Sequence, residues 1–124
     1  MNKNVLLGIR AVLTLAFAAA GLAKLAGVPM MVATFDAVGV GQWFRYVTGI
    51  IEVGSAILLW VPGFTAYAAG LLLCTMVGAL IAHFTVLLPT MGAGAAVPAL
   101  VLGVLAAITL YANRVQISFL TAKA

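Results

Sequence analysis

Three ionisable side chains stand inside otherwise apolar runs of this sequence: Lys24 in GLAKLAGV, Glu52 in GIIEVGSAILL and His83 in ALIAHFTV. A carboxylate and an ammonium can form an ion pair, and an imidazole adds a group that donates, accepts or carries a proton. In a low-dielectric setting such a set can hold a polar head group or pass a proton, and ionisable groups at membrane depth face a bundle interior or a wet cavity. The same three can instead form a polar lock that fixes helix register, because removing one partner strands a buried charge.

Other chemistries find little support. One histidine cannot supply the paired axial ligands of a bis-histidine haem. His83, Glu52, Asp36 and Cys74 do not stand at zinc-ligand spacing, so no metal site is expected. Ser55, Thr75 and Cys74 lie in apolar context with no motif to activate a nucleophile. The single cysteine excludes an intrachain disulfide and a CxxC redox pair. The sequence thus encodes no cofactor of its own, and the expectation is a protein that is not an enzyme by itself.

The elements that must position these residues follow from composition. Of 124 residues, 66% are hydrophobic and 6% charged, and the mean hydropathy is +1.30, far outside the range of a soluble domain. The six basic and two acidic residues are scattered, with no basic cluster to suggest a nucleic-acid surface. The expectation is one all-α domain over residues 1–124, an integral membrane bundle of four transmembrane helices. The spans are drawn at 5–28, 44–61, 64–88 and 95–112, with a short interfacial helix at 29–39 between the first two. Pro29 can open that short helix and Gly39 can end it. The runs lack the period-2 alternation of membrane strands, and four strands could not close a barrel. The N-terminal run, interrupted by Arg10, reads as an uncleaved first helix rather than a signal peptide.

Four spans place both termini and the Trp60–Gly63 turn on one side. That side carries Lys3, Arg10, Arg114 and Lys123, against Lys24 and Arg45 on the other, so the termini are expected in the cytoplasm, with the lipid bilayer of a bacterial inner membrane as surroundings. Lys24 then lies near the outer end of span one, His83 near the outer end of span three, and Glu52 about 12 Å below the outer end of span two. Lysine's stem can bridge the difference in depth to Glu52, and Asp36 and Arg45 are placed as a lid or rim. Small residues recur every fourth position at Gly70, Cys74, Gly78 and Ala82, and again at Ala99, Gly103 and Ala107, which marks these faces for close helix packing.

The stretches GLAKLAGVPMMVATFDAVGVGQWFR, GIIEVGSAILLWVPG and AAGLLLCTMVGALIAHF resemble the DoxX-like family of small four-helix membrane proteins, from about Arg10 to Leu88. The resemblance places Lys24, Glu52 and His83 on positions where that family repeats its polar residues. It implies two kinds of role, since some members resemble subunits of thiosulfate:quinone oxidoreductase while animal relatives resemble receptor-assembly chaperones. The chain lacks the glycine-rich segment followed by serine and aspartate that longer members carry near the last helix. The leading expectation is a polar pocket for a quinone-like or other lipophilic ligand, or a lipid, beside a membrane-protein partner or a second copy. The competing one is an assembly or interaction factor whose polar triad is structural.

Overall fold

The computed structural model describes residues 2–117, which are helical almost throughout. Lys123, counted above among the cytoplasmic charges, lies outside the described residues. The elements are α1 (Lys3–Ala26), α2 (Pro29–Val38), α3 (Gln42–Leu58), α4 (Thr65–His83), a single turn α5 (Leu88–Met91) and α6 (Val97–Ala112). A 3-10 turn, Ala93–Ala96, leads directly into α6, and another, Arg114–Gln116, follows it.

Local chemistry sets the boundaries. The Asn2 side chain accepts from the Asn4 N–H at 2.7 Å and caps α1. Gly27, with φ 74°, ends it in the left-handed conformation, returning its N–H to Ala23 and Lys24. Pro29 then opens α2, where a missing N–H costs nothing. α4 stops at His83, five residues short of the span drawn from the apolar run. There the Thr85 hydroxyl takes the Ile81 carbonyl at 2.6 Å and the Leu87 N–H folds back to Ala82 at 3.0 Å, turning the chain before Pro89.

α1 packs along α3 and α4 along α6, and contacts of α3 with α4 and of α1 with α6 join the two pairs. Leu13, Phe17, Leu59 and Leu72 are fully buried where these helices meet, with Ala56, Ala69 and Ala106 filling the gaps between them. The outside is as apolar as the inside: Leu15 is 74% and Ile57 66% exposed. α1, α4 and the continuous Ala93–Ala112 stretch are each long and apolar enough to cross a membrane. α3, expected as the second span, has 17 residues and carries Arg45 and Glu52 on its buried face.

The tightest glycine contacts lie between α1 and α3, outside the small-residue stripes named on 70–82 and 99–107. At Gly21 an added Cβ would lie 2.6 Å from Val53 Cγ2 and 2.9 Å from the Gly49 carbonyl oxygen, and at Gly49 it would meet the Gly21 oxygen and Lys24 Cβ at 3.1 Å. α1 and α3 therefore cross almost backbone to backbone. Among the described residues a Cβ at Gly70 or Gly78 would meet nothing within 4 Å, so these two pack against none of the described helices. Ala82 and Ala107 are half-buried, and Gly103 is buried with Met76 Cβ 3.4 Å from where its own would be. Four-residue periodicity names a face without naming the neighbour, and on α4 that face points outward, with Cys74 exposed.

Candidate functional site

Lys24 sits in the last turn of α1 and Glu52 in the middle of α3. The two helices run antiparallel, since Arg10 lies against Trp60, Gly21 against Gly49 and Lys24 against Arg45. Side chains lean toward the N-terminus of their own helix. Lys24 thus leans down toward Glu52, and Glu52 leans up toward Lys24. Gly49 keeps the space beside the lysine stem open. Lys24 Nζ reaches Glu52 Oε1 at 2.7 Å, with side-chain exposures of 14% and 3%. A carboxylate this deeply buried needs a partner, and the ammonium supplies both charge and hydrogen bond.

Arg45 is one end of a second set of contacts. It is 5% exposed, and its Nη1 donates to the Lys24 carbonyl oxygen. The guanidinium lies against Gly27, where a Cβ would approach Nη1 at 3.4 Å, and over the Tyr46 ring at 4.3 Å. A cation on the last carbonyls of α1 complements the negative end of that helix. Arg45 Nε also donates to Gln42 Oε1 at 2.8 Å, and Gln42 Nε2 donates to Asp36 Oδ1 at 2.9 Å and to the Val32 carbonyl at 3.0 Å. A line of polar contacts therefore runs from exposed Asp36 on α2, through Gln42 and Arg45, to the backbone of Lys24, whose side chain holds Glu52.

Asp36 lies at the surface as a rim residue would, but Arg45, placed on the rim by sequence, is buried as the cap of α1. Gln42 joins the two, a role its residue type does not announce, because a lone amide at a helix start looks like ordinary solvation. His83 is the last residue of α4. Among the described residues no hydrogen bond or ion pair links it to Lys24 or Glu52, and its buried Nδ1 has no hydrogen-bond partner. Ser55, one turn after Glu52, likewise has a buried hydroxyl with no partner. Among the described residues no three His, Cys, Asp or Glu side chains gather closely enough to hold a metal ion.

The arrangement can do one thing well. It fixes an ammonium, its charge balanced by a carboxylate, near the end of a long apolar helix, on a lysine side chain that is 14% exposed. The DoxX-like family matches residues 9–109, a stretch that contains Lys24, Gln42, Arg45, Glu52 and His83. No curated protein and no solved structure matches the chain. With most of its length matched and with helices apolar enough to cross a bilayer, the chain belongs to the DoxX-like family and is a small integral membrane protein.

Proposed function

We propose that this protein is a four-span bundle without a redox centre, which seats a quinone-like or other lipophilic carbonyl compound beside a redox partner in the membrane. The observation that carries this is the unequal exposure of the ion pair: the Glu52 side chain is 3% exposed and that of Lys24 14%. An ammonium has three donors, and Glu52 Oε1 takes one of them. A carbonyl arriving from the lipid would meet donors whose charge is already balanced, so no net charge need be brought into the hydrocarbon. Electrons would come from the partner, since transfer at a quinone needs a cofactor this chain does not encode. In this reading the termini and the Pro62 turn face the cytoplasm of a bacterial cell, and the Lys24–Glu52 pair lies in the outer half of the bilayer.

The test is binding. Protein in lipid nanodiscs is titrated with ubiquinone and menaquinone, and quenching of the Trp43 and Trp60 fluorescence is followed. Saturable quenching that disappears in the Lys24→Met, Glu52→Gln double variant is expected. Absence of saturable quenching, or a double variant that behaves as wild type, overturns the reading.

A second reading, as an assembly or interaction factor, is favoured by the outward face of α4. Gly70, Cys74 and Gly78 form a strip of small residues along it, and a side chain at either glycine would meet open space. Such a strip lets a partner's helix approach closely. Under this reading a stoichiometric membrane partner co-purifies with the protein and is lost in Gly78→Leu, with the fold unchanged.

A further inference from the structure

At the end of the molecule opposite the Lys24–Glu52 pair, an open groove of about 720 Å³ runs between α1 and α6. Leu6 lines it from α1, and Val104, Ala107, Ile108 and Tyr111 line it from α6. The α6 residues recur three and four positions apart and so form one apolar wall about 10 Å long. Arg114 closes the end of that wall. Its Nη1 donates to the Tyr111 carbonyl at 2.7 Å and its guanidinium lies 4.0 Å from the Tyr111 ring centre. One of five N–H donors is used in this way, and the side chain is exposed.

Two basic side chains stand nearby on α1. Lys3 opens α1, and Arg10 lies one turn beyond Leu6. Arg10 Nε is buried with no hydrogen-bond partner among the described residues, and the guanidinium stands 5.0 Å from the Trp60 ring. The two acidic side chains are engaged elsewhere, Asp36 by Gln42 and Glu52 by Lys24, and among the described residues neither pairs with Arg114. Gln116, just past Arg114, accepts from the Ala66 N–H at 2.9 Å, which fixes this end of α6 beside the start of α4.

We infer that this groove holds one anionic phospholipid, with an acyl chain along the Leu6–Ile108 wall and its phosphate on Arg114. An apolar wall that takes the upper part of an acyl chain and ends in an arginine beside Tyr111 matches the amphipathic shape and the charge of such a lipid. The site is independent of the function proposed above, since it uses other helices' faces at the other end of the molecule.

Native mass spectrometry of the full chain, released from nanodiscs made with equal phosphatidylglycerol and phosphatidylcholine, tests it. The wild type should retain one phosphatidylglycerol per chain, several-fold over phosphatidylcholine. Arg114→Gln, at an exposed position outside the long helices, should lose that preference, and Ala107→Trp, which fills the groove, should retain neither lipid. Lys24→Met with Glu52→Gln should leave the retention unchanged. Equal retention of the two lipids by the wild type, or an undiminished preference in Arg114→Gln, overturns the inference.

Discussion

Arg45 and Lys24 are joined through the lysine backbone: the Arg45 guanidinium donates to the Lys24 carbonyl, while the Lys24 ammonium lies 2.7 Å from Glu52, two helical turns along α3 from Arg45. Both ends of one residue are therefore held by one neighbouring helix. The stripe that does this, Arg45, Gly49, Glu52 and Ala56, is buried along its length. It carries two of the chain's charges and one of its closest backbone contacts.

Breaking the ion pair from one side should be worse than removing it. Lys24→Met leaves Glu52 buried without a cation and is expected to cost about 3 to 5 kcal/mol, whereas Lys24→Met with Glu52→Gln should recover much of the loss. A thermal-unfolding cycle in detergent or lipid measures this. Additive losses would mean that the two side chains are not coupled.

The cap on α1 depends on the shape of the arginine. Arg45→Lys keeps the charge but cannot serve the Lys24 carbonyl, Gln42 and the Tyr46 ring together, and should cost about 2 kcal/mol. Gln42→Leu, which removes the bonds to Asp36, Val32 and Arg45 Nε but leaves the Arg45 bond to the Lys24 carbonyl, should cost less, about 1 kcal/mol. If Arg45→Lys unfolds at the wild-type temperature, the guanidinium contacts carry no weight.

Glycine substitutions should separate the two kinds of small residue. Gly21→Ala forces a methyl into Val53 and the Gly49 carbonyl and is expected to destabilise by about 1 to 3 kcal/mol, with Gly49→Ala similar. Gly78→Ala meets open space and gains helix propensity, so it should be neutral or stabilising by up to about 1 kcal/mol. Melting temperatures of the three variants in one detergent decide the matter, and the same loss in all three would contradict the crossing described here.

At the other end, Trp60 Nε1 donates to Thr14 Oγ1 at 2.7 Å while the Arg10 guanidinium covers its ring. Trp60→Phe keeps a ring but loses the donor, and about 1 kcal/mol should go with it. Thr14→Val combined with Trp60→Phe should cost little more than either change alone, as a thermal cycle would show.

The helices and the Lys24–Glu52 contact were legible in the sequence for a physical reason. Apolar runs of this length have few alternatives to helix, and a carboxylate inside one needs a cation within reach. The crossing at Gly21 and Gly49 was not legible, because the glycines of the two helices, Gly8 and Gly21 on α1 and Gly49 and Gly54 on α3, stand at no four-residue repeat, and only the juxtaposition of Gly21 with Gly49 gives them meaning. His83 was drawn to the pair by its depth, and among the described residues no hydrogen bond or ion pair joins it to either partner. The role of Arg45 as a cap was hidden because its acceptor is a backbone carbonyl, which no residue type announces.

Helix length carries one more consequence. α3 has 17 residues and α1 has 24, which correspond to about 26 Å and about 36 Å. If α3 crosses the bilayer as the second of four spans, as proposed above, the hydrophobic girdle is uneven and on the α3 flank falls below the roughly 30 Å thickness of the hydrocarbon. Acyl chains beside Ile50 and Ile57, both exposed on α3, would then compress to match it, at a fraction of a kcal/mol per ångström of mismatch. A protein neighbour that displaced those lipids would relieve the compression, so under the proposed topology bilayer elasticity would favour a neighbour on the helix whose inner face holds Glu52.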